Sequence, residues 1–381
     1  MSLNLTDLYT QIPNSIPLIT LPDHDPNKTA KSSSEDLFES TASFAQSFNP
    51  HTEMEQAKEF FNEWGFVVFN SILNQEQINN SISDIFTYLE SGHYNASYTK
   101  DFMKDPLDLP KSNVSHLDKS TWTNKNWPAM KEEGILGSPP VFTKQAMENR
   151  ENENVYHAFK EIIGNEDLWV SMDRYGFFRP TVENEEWKSR RNIHLDRNPW
   201  NYVYNKNPIE ESFPREYYFL PEFCGEFNEG GNYKDGIVKV QGLINFVDNR
   251  AQDGGFIIVP KFNKIFKEWT QLTRNTLANK YVDSSFVVLS RQEKELFNKA
   301  VRIPLKAGDM LIWDICMPHG SAPNESDRYR LCQFLKMFPS YKPTTKQGNS
   351  SLEIRRKIIR KALERYRMNP TPLGNKLFGL E

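Results

Sequence analysis

Between residues 168 and 339 the chain breaks into short runs of β-forming residues, and no other feature constrains its fold as strongly. The runs are LWVSMDRYGFFRP, NIHLDRN, GIVKVQGLINFVDN, GGFIIVPKF, VRIPLKAGDMLIWDI and YRLCQFLKMFP. Gly, Pro, Asn and Asp turns separate them, so the segment predicts several short strands rather than long helices. That pattern indicates a mainly β sandwich or jelly roll with flanking helices. Upstream, EQAKEFFNEWGFVVFNSILNQEQINNSISDIFTYLES reads as a short helix, a strand GFVVFNSI and a second helix from about residue 74. In that helix Ile78, Ile82, Ile85, Phe86 and Leu89 recur at helical spacing. Further helices are expected near residues 146–163, as an insertion at 263–279 and 292–300, and at the C-terminus in SLEIRRKIIRKALERYRM. There Leu352, Ile358, Ile359, Ala362 and Leu363 fall on one side.

The 381 residues exceed the usual size of a domain, yet β-barrel enzymes often pass two hundred residues as one unit. We therefore expect one elaborated domain over 51–345, with a C-terminal helix and tail (346–381) packed on it. Residues 1–50 mix Pro, Asn, Ser and Thr without sustained periodicity and are expected to be disordered. The stretch 94–137 has loop chemistry, with Trp122 and Trp127 as its anchors. A hydrophobic fraction of 38% supplies a core, and no stretch approaches the roughly 18 apolar residues of a membrane span. A net charge of -4 gives no global attraction to nucleic acid or to an anionic membrane, which leaves small molecules as the expected partners. The three cysteines, Cys224, Cys316 and Cys332, include no Cys-x-x-Cys pair, so neither a disulfide framework nor a thiolate zinc site is indicated. The opening residues lack a secretory signal and the FGLE end is no peroxisomal tripeptide, so a cytoplasmic location is expected.

The chemistry concentrates in a few positions. His194 and Asp196 stand two apart in a short β-type run, and strand geometry puts residues i and i+2 on the same face. A third ligand has to come from a distant strand, and His319 qualifies because it follows the β run in KAGDMLIWDICMPHG. Two His and one carboxylate on one face of an ion leave three open positions, the arrangement of non-haem Fe(II) oxygenases. Arg330 follows His319 by eleven positions, at the start of the next strand. Its planar fork suits the distal carboxylate of 2-oxoglutarate, and the Ser321 hydroxyl can support it. Taken alone, His-x-Asp reads as well as a surface turn; the downstream context gives it weight.

These pieces together resemble the phytanoyl-CoA dioxygenase family of Fe(II)- and 2-oxoglutarate-dependent oxygenases. The matching segments are EWGFVVFNSILNQEQI, HLDRNPW, QDGGFIIVP, AGDMLIWDICMPHGSAPNESDRYR and TPLGNKLFGL, which span about residues 60–380. The resemblance implies a double-stranded β-helix (a cupin-like jelly roll), iron ligands at His194, Asp196 and His319, and a 2-oxoglutarate arginine at Arg330 with Ser321 in support. It also implies O2 as reactant and succinate and CO2 as products. Related halogenating enzymes carry Ala or Gly in place of the carboxylate ligand, so Asp196 favours hydroxylation or desaturation.

Four further residues have two readings each. Arg179 in FFRPT either meets an acidic ligand or forms a surface ion pair. Gln241 and Asn245 share a face of VKVQGLINFV and either hydrogen-bond 2-oxoglutarate or an iron-bound water, or belong to a half-exposed strand. Trp200 either walls the site or packs beneath a loop, whereas Trp313 is expected to fill the core. The basic run RRKIIRKALERYR is read as the solvated face of its helix. For the whole chain, a small-molecule hydroxylase is preferred over an oxygenase acting on protein or nucleic acid and over a non-catalytic cupin-like binding protein.

Overall fold

Turn-bounded apolar runs become sheets when their two faces find cover, and here every predicted run contains a strand. The computed structural model describes residues 4–22, 41–91, 111–127, 131–136, 141–200, 237–281, 284, 286–289, 293–340 and 346–381. Cys224, His24 and His93 lie outside the described residues. In chain order the strands are β1 Leu18–Pro22, β2 Thr41–Ala45, β3 Ser47–Phe48, β4 Phe66–Phe69, β5 Ile135–Leu136, β6 Leu168–Val170, β7 Tyr175–Phe178 and β8 Asn192–Leu195. They continue as β9 Val240–Asn245, β10 Gly255–Ile258, β11 Val287–Val288, β12 Val301–Arg302, β13 Met310–Asp314, β14 His319–Ala322, β15 Arg330–Leu335 and β16 Met337–Pro339.

Among the described residues the larger sheet has the order β3-β4-β13-β9-β15-β7-β5 and the smaller one β11-β8-β14-β10-β12. Successive core strands switch sheets except at β10 and β12, which pair with each other: β7, β9, β13 and β15 lie in the larger, β8, β10, β12 and β14 in the smaller. The resulting orders β7-β15-β9-β13 and β8-β14-β10-β12 are those of a double-stranded β-helix, the jelly roll expected from the sequence.

Burial explains the hydrophobic patterning. All six residues of β9 and all four of β4 are buried, because one face looks into the barrel and helices cover the other. Phe159, from helix Glu153–Ile163, packs so closely on β9 that only glycine fits at position 242. Gln333 of β15 donates from its amide to Ala146 O of helix Lys144–Arg150 and accepts from Asn149. On β8, by contrast, Ile193 and Leu195 are buried while Asn192 and His194 face an open cleft. The predicted anchors Trp122 and Trp127 are both buried edge-on against Phe177 of β7.

Two expectations change. Residues 1–50, read as disordered, contain helix Leu5–Thr10, the β1–β2 pair and β3, which runs parallel to β4 at the edge of the larger sheet. Tyr9 is buried, donates to Glu293 at 2.5 Å and accepts from Trp269 Nε1 at 3.2 Å, so this segment is tied to the helical insertion. A helix of six residues is too short to display a hydrophobic period, which is why the pattern was silent. The insertion itself is more broken than its composition suggests, with short helices at Phe266–Leu272, Leu277–Lys280 and Lys294–Asn298. The C-terminal helix Lys346–Arg365 buries Leu352, Ile358, Ile359, Ala362 and Leu363 as its spacing predicts. No helix among the described residues is long and apolar enough to cross a membrane.

Candidate metal centre and co-substrate cleft

Antiparallel pairing of β14 with β8 sets His319 directly opposite His194, and the two rings lie 4.6 Å apart between centroids. This approach depends on Gly320, where a Cβ would fall 2.0 Å from the Asn192 carbonyl oxygen. Asp196 follows just past the end of β8, with Oδ1 3.3 Å from His194 Nε2 and Oδ2 4.0 Å from His319 Nε2. One ligand atom from each of the three residues can be chosen so that all lie within 4.8 Å of one another, a spacing suited to a single metal ion.

The surrounding hydrogen bonds prepare these groups as ligands. His194 Nδ1 sits 3.1 Å from Asn192 Oδ1 and His319 Nδ1 sits 2.9 Å from the Met317 carbonyl. Amide oxygens only accept, so both rings carry their proton on Nδ1 and present the lone pair of Nε2. Burial, aided by the neighbouring His194, pushes the His319 imidazole down to about 4, which keeps it neutral at physiological pH. Burial by itself would raise the Asp196 carboxyl. The Lys336 ammonium, with smaller contributions from the two neighbouring histidines, outweighs it and holds Asp196 well below the usual carboxylate range.

Farther along the cleft, Arg330 opens β15 and is only 1% exposed. Its Nε donates to Asn249 Oδ1 at 3.1 Å and its guanidinium lies over the Phe178 ring at 5.2 Å. Nη2 is buried without a hydrogen-bond partner among the described residues. Gly255, at φ 98°, makes room for it, since a Cβ there would meet the guanidinium head at 2.4–2.7 Å. A buried cation with an unused donor is costly unless a ligand anion completes it, so this donor and the His-Asp-His set both fit the groups the sequence implies. The cleft is lined from both sheets, with the His-Asp-His set and Arg330 among its walls. Ser321 lines the same cleft.

Other expected residues behave differently. Gln241 lines the cleft, but its amide donates to Asp196 Oδ2 and its oxygen accepts from Trp313 Nε1 at 2.9 Å. Asn245, on the same face of β9, is spent on the backbone carbonyls of Val247, Leu305 and Lys306 at 2.5, 3.3 and 3.0 Å, away from the cleft. Arg179 is buried too, but it donates to Trp122 O and Asn124 Oδ1 and stacks over Trp127, clamping the 111–127 loop instead of meeting a ligand. Trp200 packs on Trp269 and donates to Thr270 O, so it belongs to the insertion's core. Trp313 is buried in the hydrophobic core as expected and also lines the cleft, 5.2 Å from His319 between ring centroids. Lys336 was missed. Its Nζ lies 3.5 Å from Asp196 Oδ2, and it shares the face of β15 on which Arg330 and Phe334 stand at even spacing, a signal the sequence did carry.

Known proteins resemble this chain in sequence and in fold. The phytanoyl-CoA dioxygenase (PhyH) family model matches residues 215–332. A Dictyostelium discoideum protein whose name assigns it to the phytanoyl-CoA dioxygenases is 34% identical over 287 residues, covering 74% of each chain. The chain belongs to the phytanoyl-CoA dioxygenase family. Membership makes it a non-haem iron, 2-oxoglutarate-dependent oxygenase that draws on Fe(II), 2-oxoglutarate and O2. A second relative, Ava biosynthesis cluster protein O of Aspergillus versicolor, is 23% identical over 236 residues, 60% of this chain and 65% of that one. The fold matches the crystal structure of GlcNAc Inducible Gene 2 from Candida albicans with a TM-score of 0.52 at 12% identity, over 86% of this chain and 76% of that one.

Proposed function

We propose that this family member hydroxylates a small organic molecule bound at the mouth of the cleft, with release of succinate and CO2. The observation that carries the reading is convergence: three ligand-type side chains and a buried arginine with an unused donor line one cleft on strands distant in sequence. In this reading His194, Asp196 and His319 would hold the iron, a ligand set that suits a non-haem Fe(II) centre. Iron, 2-oxoglutarate and O2 together supply an oxidant able to break an aliphatic C–H bond.

The chain's own residues do the rest. Arg330 takes the distal carboxylate of 2-oxoglutarate on its free Nη2, and Ser321 adds a hydroxyl. Phe256 and Trp313 wall His319 and keep water from the buried side of the centre. Asp196 favours hydroxylation over halogenation because its carboxylate fills the position a halide would need. Residues 51–345 form the catalytic unit and 346–381 pack against it.

Anaerobic titration of the protein with Fe(II) and 2-oxoglutarate tests the reading. A weak visible charge-transfer band should develop and be lost in His319→Ala. Iron binding with no such band would turn the protein into a metal-binding cupin-like protein without turnover.

A further inference from the structure

We infer that Gln241 is a positioning residue that commits one oxygen of Asp196 to a hydrogen bond and so presents the other, Oδ1, to the metal. The inference rests on His194, Asp196 and His319 being the metal centre.

A glutamine amide can point either way, and here its partner decides. Trp313 Nε1–H can only donate, and it lies 2.9 Å from Gln241 Oε1. The oxygen is thereby assigned to the tryptophan and the NH2 to the opposite side, where it donates to Asp196 Oδ2. Both side chains are nearly inaccessible, Gln241 at 1% and Trp313 at 3%, so neither partner is replaced by bulk water. The backbone fixes the geometry as well, since Trp313 of β13 pairs directly with Gln241 of β9 in the larger sheet. The ammonium of Lys336, 3.5 Å away, approaches the same Oδ2. Two donors therefore converge on Oδ2, while Oδ1 faces the His194 Nε2 lone pair at 3.3 Å, on the side of the metal position.

The consequence is a carboxylate that binds through a single oxygen. A carboxylate free to rotate can take the metal through both oxygens and occupy a coordination position that a reactant needs. Holding Oδ2 by hydrogen bonds blocks that mode, and such outer partners typically change metal affinity 10- to 100-fold. Trp313 acts one step farther out by fixing the orientation of the amide.

The test uses Co2+ as a spectroscopic probe on the full-length protein, with binding followed by titration and coordination by the visible d–d spectrum. Wild type should bind Co2+, and His194→Ala should lose that binding; if the wild type does not bind, the metal centre itself fails and the failure is separate from this inference. Gln241→Leu should bind Co2+ about 10- to 100-fold more weakly, with a changed spectrum. Trp313→Phe, which only releases the amide's orientation, should show a smaller loss with the same direction of spectral change and serves where Gln241→Leu folds poorly. Gln241→Glu keeps the acceptor for Trp313 but cannot donate when ionised, so it should resemble Gln241→Leu and not the wild type. Wild-type affinity and spectrum in folded Gln241→Leu or Gln241→Glu, whatever happens to thermal stability, would overturn the inference.

Discussion

Replacing Arg330 by Met removes a buried cation that lines the cleft while keeping most of its aliphatic volume. The loss follows from the structure. Arg330 is 1% exposed, its Nε is already used by Asn249, and Nη2 is left for the ligand carboxylate. Removing one partner of a desolvated charge pair costs about 2–5 kcal/mol. With about 1.4 kcal/mol per tenfold, 2-oxoglutarate affinity should fall by roughly 30- to 4,000-fold. Metal affinity should stay within a few-fold, since Arg330 supplies no ligand atom to the His194, Asp196 and His319 set. The ligand-free protein should not lose stability to match, because the substitution also removes a buried charge that has no carboxylate partner among the described residues. Isothermal titration of the metal-loaded protein with 2-oxoglutarate reads the affinity. A melting curve offers a second reading, because ligand at a hundred times its dissociation constant adds about 2.7 kcal/mol of stability to the wild type and little to the variant. Unchanged 2-oxoglutarate affinity in Arg330→Met would refute the assignment of the co-substrate site.

His194→Ala and Asp196→Ala should each abolish metal retention in dialysed protein while circular dichroism and melting show a folded chain, since the hydrophobic core does not pass through the metal position; retained metal at wild-type stoichiometry would count against the site. Gly320→Ala should destabilise the protein by about 1–3 kcal/mol in chemical denaturation, because the added carbon meets the rigid Asn192 carbonyl and has to part β14 from β8; wild-type stability would show that the sheet yields there. Burial raises the Asp309 carboxyl to about 7, so its folded form keeps a proton that the unfolded chain releases near 4. The stability this group contributes is therefore complete below about pH 4 and is lost as pH rises toward 7, by up to about 4 kcal/mol. Asp309→Asn should flatten that decline in urea denaturation series between pH 4 and 8, and an unchanged slope would show that Asp309 ionises normally.

Short-range chemistry carried much of this protein in its sequence. Turn residues at close intervals and apolar runs of strand length specified a β architecture, because backbone sterics and burial act within a few residues. The spacing of His194 and Asp196 pointed to one shared site, although Asp196 stands just past the end of β8, and Arg330 opened a strand as its position suggested. The apolar side of helix Lys346–Arg365 was equally legible, since 3.6-residue periodicity needs only its own segment. What partners each polar side chain was a different matter. Gln241 and Asn245 share a strand face and a chemistry, yet one holds Asp196 and the other satisfies three backbone carbonyls; the elements brought opposite them decide which. Arg179 and Arg330 both follow aromatic strands or precede them, and only the loop carrying Trp122 turns the first into a structural clamp. The N-terminal helix exists because the insertion offers Glu293 and Trp269 to Tyr9 across more than 250 residues. Local sequence determined where strands, helices and metal-ligand types stand. Tertiary packing determined which polar groups lose water and which partners remain within reach of them, and that contest between desolvation and long-range hydrogen bonding is not written in any single segment.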